Sequence, residues 1–219
     1  MPRALFEKKG NAVYISHLDL MRVFQRSFKR AGLPLTHTQG FNPRPSVSIA
    51  LPLSLGVESS CELLDFDLED NSISCSEIMN RLNTCLIDGV RVLDVYQNCS
   101  KIKNLAFLDC HLVMEYDSPI LDDAVEKIQT LFSQQKVIVE KKGKNGIVLQ
   151  NIIPMIRNFC VKESESNTLS IDCRICCQNP TLNPILIPNA ITKYLPELTP
   201  DFVRCSRVEI YDTNSNIFR

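Results

Sequence analysis

The amino-acid sequence predicts an α+β fold of two ferredoxin-like units, each ordered β-α-β-β-α-β, packed together, with antiparallel sheets and helices on one face. Three observations predict it. Residues 62–69, ELLDFDLE, alternate apolar and acidic side chains at the period of a half-buried strand. Residues 16–32 repeat apolar side chains at helical spacing between a start and a stop signal. The order of elements over residues 1–97 then recurs over residues 106–212, with no sequence identity between the halves.

Residues 3–15, RALFEKKGNAVYI, read as two short strands around a turn at Lys9-Gly10-Asn11, or as one bent strand. A helix follows. Ser16 is its cap, with Asp19 as the reciprocal half of a capping box. Leu20, Met21, Phe24, Phe28 and Ala31 form its buried face, and Gly32 and Pro34 end it. After a polar loop, SVSIALPLSLGV is extended. CELLDFDLE then turns Leu64, Phe66 and Leu68 inward and Asp65, Asp67 and Glu69 outward. SCSEIMNRLNTCL is a helix with Ile78, Met79, Leu82 and Leu86 inward, and VRVLDVYQ is a strand.

In the second half, AFLDCHLVMEY is a strand and residues 118–135 a helix that tolerates Pro119 in its first turn. KVIVEKKGKNGIVLQNI makes one or two strands around Gly143–Gly146. TLSIDCRICC is a strand, NPILIPNAITKYL a short helix and FVRCSRVEIYD the last strand. Residues 150–168 carry no clear period. The units are expected at 1–98 and 104–219.

No apolar run is long enough to span a membrane, and the charged N-terminus lacks a signal-peptide core, so no membrane contact and a cytoplasmic location are expected. The ten scattered cysteines are expected to be reduced and mostly buried. Cys173 and Cys176 point to opposite faces of a strand, which is wrong for chelating one zinc, so neither metal nor cofactor is expected. The net charge of −1 hides an asymmetry. Residues 1–50 hold eight basic against two acidic residues, and residues 51–100 hold two against nine.

That basic surplus is concentrated on the first helix. Arg22, Arg26, Lys29 and Arg30 share the side opposite Phe24 and Phe28, where forked guanidinium donors suit phosphate oxygens; a plain solvated helix face would look the same. The loop THTQGFNPRP adds His37, Gln39, Phe41, Asn42 and Arg44, braced by Pro43 and Pro45. Phe41 either stacks on a base or plugs the core. His17 and His37 are candidates for acid–base chemistry on RNA, although the helix between them spans roughly 22 Å and they need not be near each other. Asp65 and Asp67 offer a cation site or an ordinary acidic strand face. Lys141, Lys142 and Lys144 form a small basic turn that extends an RNA path or merely keeps a hairpin solvated.

The segment SHLDLMRVFQRSFKRAGLP…QGFNPRP closely resembles the bacterial radical-SAM-linked proteins, a domain family of unknown function. Its members stand beside a B12-binding radical SAM enzyme or are fused to its C-terminus. The resemblance covers residues 3 to about 97, with signature positions at Ser16, His17, Asp19, Arg22, Arg26, Gln39, Gly40, Phe41, Asn42 and Pro43. It implies a radical SAM partner and, from the family's usual gene setting, RNA metabolism. The radical SAM cysteine motif is missing, so this chain is expected to be the companion. The paired-unit reading is also similar to the architecture of CRISPR repeat-processing ribonucleases and some pseudouridine synthases, at the level of fold. The expected function is RNA binding and presentation to that enzyme. The alternatives are an RNA-processing or RNA-modifying enzyme using His17 or His37, and a protein-docking adaptor.

Overall fold

The computed structural model describes the backbone of residues 1–97, 99–143, 146–165 and 167–219. Among the described residues the fold is mixed α+β with four α-helices and mostly antiparallel strands. The chain divides into two compact units, Met1–Lys103 with Arg219, and Asn104–Phe218.

The first unit runs β1 (Arg3–Lys8), α1 (His17–Arg30), β2 (Val47–Ile49), β3 (Val57–Phe66), α2 (Cys75–Asn83) and β4 (Val90–Tyr96). Its strands lie in the order β4-β1-β3, with β2 on β3, all antiparallel. Both helices cover one face. Leu20, Phe24 and Phe28 of α1 join Ile78 and Leu82 of α2 over Ala4, Phe6, Leu64 and Phe66 of the sheet. Phe6 meets Phe24 edge-on at 4.8 Å between centroids, and Phe28 meets Phe66 at 4.9 Å. Full burial of each such ring contributes roughly 2–3 kcal/mol, so these pairs fix how α1 lies on the sheet.

Residues 10–14 are not a second strand. They form a 3₁₀ turn that wraps the end of β1. The cause is Lys8, which is buried and donates to the carbonyls of Val13 at 3.2 Å and Ile15 at 2.8 Å. An ammonium group taken out of water needs oxygen partners, and a turn supplies several carbonyls to one point. The acidic alternation of β3 is also used internally. Arg3 grips Asp65 with two hydrogen bonds, at 2.6 and 3.1 Å, so Asp65 is a buried arginine's partner and not a free cation ligand.

The second unit departs from the expected order. It runs β5 (Leu105–Glu115), α3 (Ala124–Ser133), β6 (Ile138–Gly143), β7 (Gly146–Asn151), β8 (Ile156–Glu165), β9 (Thr168–Cys176), α4 (Leu186–Tyr194) and β10 (Phe202–Asp212). Its sheet is β10-β5-β9-β8, all antiparallel, while β6 and β7 pair separately as a ribbon. The strand beside β9 is therefore β8, from the stretch that showed no period. With the ribbon set aside, both sheets follow one order: the last strand, the first, the third, then the second. Helix α3 starts at Ala124, so Pro119 lies outside it, and Phe132 stacks on Phe159 of β8 at 4.4 Å. Pro188 is tolerated inside α4 because it lies in the first turn, where the N–H groups have no intrahelical acceptor.

Candidate nucleic-acid interface

Helix α1 has the ends its sequence specifies. The backbone N–H of Asp19 donates to the Ser16 hydroxyl at 3.1 Å, and that hydroxyl donates to the Asp19 carboxylate at 2.7 Å. At the far end Gly32 adopts φ +65°. Leu33 N–H reaches the Phe28 carbonyl at 2.9 Å and Gly32 N–H the Lys29 carbonyl at 3.3 Å, the paired bonds of a Schellman stop. Only glycine takes that backbone geometry without strain. The stop turns the chain at once into the loop, which ties the loop's position to the end of the basic helix.

Arg22, Arg26, Lys29 and Arg30 are all exposed, on the side opposite Phe24 and Phe28. Their circumstances differ. Arg22 pairs with Asp19 at 2.7 Å, both side chains more than half exposed. Such a pair is worth about 0–1 kcal/mol and gives way to a stronger anion. The Ser16 hydroxyl first, and Arg22 second, hold the Asp19 carboxyl below the usual carboxylate range. Arg30 turns onto the Cys85 carbonyl, which Ser27 also engages. Among the described residues, Arg26 and Lys29 have no side-chain partner.

The 36–45 loop is a finger. Its base is sewn to the strand end: Leu35 bridges Leu68, Thr36 N–H donates to the Asp67 carbonyl at 3.0 Å, and the Thr36 hydroxyl donates to the Asp67 carboxylate at 3.1 Å. A short antiparallel ladder then runs outward. Thr38 N–H donates to the Arg44 carbonyl and Ser46 N–H to the Thr36 carbonyl, both at 2.8 Å. Pro45 occupies the bridge opposite His37, where no N–H is asked of it. The tip is Gln39 to Pro43, with Gly40 at φ +139°, again a glycine geometry. Phe41 stands fully exposed there, at 107% of its reference surface. It does not plug the core.

Helix and finger meet. An open cleft of about 430 Å³ is bordered by Gln25 and Lys29 of α1, His37 and Pro45 of the finger, Pro34 and Glu69, with the buried Phe28, Leu33 and Leu35 beneath it. Lys29 and His37 thus border one concavity. Arg22 and Arg26 lie farther along the same helix face, and Arg30 points elsewhere. Gln25 and Glu69 were not singled out by sequence. Gln25 had a signal in its spacing of four from Lys29, whereas Glu69 read only as part of an acidic strand face. His17 lies at the opposite end of α1 from His37 and Lys29, with about 18 Å of helical rise between residues 17 and 29. The two histidines do not form a pair.

Residues 2–184 match the family described as an uncharacterized protein conserved in bacteria, DUF2344. The chain belongs to that family. The match spans the whole basic helix and finger and reaches well into the second unit of this DUF2344 chain. No curated protein matches it by sequence. Solved structures similar in fold include the following two. One is of a Cbf5–Nop10–Gar1 complex, at TM-score 0.51 and 10% identity, covering 95% of this chain and 48% of that one. The other is of an H/ACA RNP bound to a substrate RNA containing 2'-deoxyuridine, at TM-score 0.50 and 8% identity, covering 94% and 46%. The chain spans about half the length of the chains it matches, and at such identity the likeness is one of fold.

Elsewhere, among the described residues, no group of three or more His, Cys, Asp or Glu side chains is arranged to hold a metal ion. No described helix is long and apolar enough to cross a membrane. Lys141 of the basic turn reaches the Thr181 carbonyl at 3.3 Å, and Lys144 lies outside the described residues.

Proposed function

We propose that this DUF2344 protein binds RNA through its first unit and presents it to a partner enzyme, which the sequence resemblance suggests is a radical SAM enzyme. Arg22, Arg26 and Lys29 contact phosphates, with Arg30 joining when it leaves the Cys85 carbonyl. His37, Gln39, Asn42 and Arg44 contact sugar and base edges, and Phe41 stacks on a base. The observation that carries this reading is Phe41 itself. A large aromatic ring held wholly in solvent, on a hydrogen-bonded finger beside cations that have no partner among the described residues, has no role in the fold. Stacking platforms next to basic grooves are how single strands are gripped. The fold likeness to an RNP structure points the same way, without fixing function. We also read both units, 1–98 and 104–219, as ferredoxin-like, on their shared strand order.

A second reading concerns the partner enzyme, and the β6–β7 ribbon favours it. Ile147, Val148 and Leu149 are consecutive and exposed, and among the described residues β7 pairs only with β6. An exposed apolar strand with one edge unpaired among the described residues suits contact with another protein. The enzyme alternative using His17 and His37 has no comparable support.

Filter binding of single-stranded RNA across a salt series tests the RNA reading. Affinity is expected to fall with salt, and Arg22→Ala with Arg26→Ala is expected to flatten the log–log slope by about 1.4, near 0.7 for each phosphate no longer neutralised. An unchanged slope in the double variant sinks it. Recovery of a bound enzyme from nuclease-treated lysate, abolished by Val148→Asp, separates protein docking from RNA-bridged association.

A further inference from the structure

The cleft between α1 and the finger has a chemistry that phosphate binding alone does not explain. Its apolar floor is Pro34, Pro45 and the edge of Leu35 over the buried Phe28 and Leu33, while Gln25, Lys29, His37 and Glu69 border it. None of those four polar side chains has a hydrogen-bond partner among the described residues. Glu69 is anchored in place: its backbone N–H donates to the Pro34 carbonyl at 3.0 Å, one residue after the Leu35–Leu68 bridge. A carboxylate there repels a phosphate, and four polar groups suit an apolar side chain poorly. A flat heteroaromatic ring satisfies both parts, since its faces are apolar and its edge is polar. At about 430 Å³ the cleft lies near the small end of pockets that take small molecules, the size class of one nucleoside.

The bordering groups also choose among the bases. A carboxylate only accepts hydrogen bonds. Guanine offers two adjacent N–H groups, on N1 and N2, along one edge. Adenine and cytosine set one amino group beside a ring-nitrogen acceptor, which a carboxylate repels. Uracil places its single N–H between two carbonyls. The donors of Lys29 and Gln25 suit guanine O6. Resting on the RNA-binding reading above, we infer that this cleft takes one unstacked guanine of the bound strand, with Glu69 accepting from its Watson–Crick edge. The finger then serves the strand twice, since Pro45 and His37 wall the cleft while Phe41 at the tip stacks on a neighbouring base.

Fluorescence anisotropy with the full chain tests this, using single-stranded nonamers of A and U that differ only in a central G, A, C or U. The G-containing nonamer is expected to bind on the order of 10-fold tighter, the discrimination of one good bidentate base contact. Glu69→Gln, at an exposed position, should remove that preference and leave the affinity for the A/U nonamers within about twofold. Arg22→Ala with Arg26→Ala should weaken all four nonamers alike. RNA binding with no central-base preference overturns the guanine pocket and leaves the RNA reading standing. A G preference that survives Glu69→Gln overturns the role of Glu69. Absence of binding to every nonamer overturns both.

Discussion

Arg174 and Arg26 carry the same guanidinium group in opposite circumstances. On β9, Arg174 donates to both oxygens of Asp109, at 2.7 and 2.9 Å, and lies 3.7 Å over the ring of Tyr211. Nearby, Arg204 pairs with Glu115, and His111 lies 2.7 Å from Asp172 directly across the strand pair. Both arginines have their counter-charge on the adjacent strand, and His111 has its carboxylate neighbour there. On α1, Arg26 and Lys29 have none among the described residues, and Asp19 is the only acid in the helix. A sheet in register sets opposite charges about 5 Å apart and neutralises them internally. A helix row of one sign leaves the neutralising charge to come from outside. That contrast is the physical basis for proposing an anion-binding surface in the first unit.

The contrast yields graded expectations. The largest effect belongs to the most enclosed pair. Arg3 is 2% exposed, and Arg3→Ala leaves Asp65 without its partner, so urea denaturation should show a loss of about 3–5 kcal/mol. Phe41→Ala should do the reverse, weakening RNA binding on the order of 10-fold in a titration while leaving the melting temperature unchanged. Next come two matched arginine variants. Arg174→Ala should cost about 1 kcal/mol of stability with no change in RNA affinity. Arg26→Ala should reduce RNA affinity a few-fold with no change in stability. If the two variants behave alike, the contrast between neutralised and available arginines is wrong.

The smallest effect is at the helix start. The Asp19 carboxyl is held below the usual range, first by Ser16 and then by Arg22, so its contribution to stability is present above its unfolded pKa and is lost as pH falls through the lowered folded value. Ser16→Ala should raise the Asp19 titration midpoint toward the ordinary carboxylate value in an NMR pH series. A midpoint that stays where it was would show that Arg22 alone holds the carboxyl.

Helix α1 was legible because its signals are local: apolar spacing, a serine cap and a glycine stop all fall within seventeen residues. The finger was half legible. Pro43 and Pro45 announced a stiff loop, but its projection depends on Asp67 and Leu68, some thirty residues later, and so the exposure of Phe41 was open. Strand β8 was hidden by its own irregularity. Asn158 takes φ +49° and the register shifts between Arg157 and Cys160, which destroys the two-residue period. Strand β7 fell within the one or two strands read around Gly143–Gly146, but the exposure of its apolar run IVL in the ribbon was not legible. The 3₁₀ turn after β1 was missed because Lys8 in a strand reads as a solvent-facing residue, whereas here it is buried. The cleft was legible in part, through Lys29 and His37 on the helix and loop that were expected to converge, whereas Glu69 joins it only through folding.

The central claim is that RNA lies on α1 and the finger. The most direct measurement is photocrosslinking of single-stranded RNA carrying 4-thiouridine to the full chain, with crosslinked peptides identified by mass spectrometry. Adducts concentrated in residues 36–45, at Phe41 above all, are the expected result, together with their disappearance when salt is raised. Adducts confined to the sheet of the second unit, or none at RNA concentrations that give binding, would contradict the account.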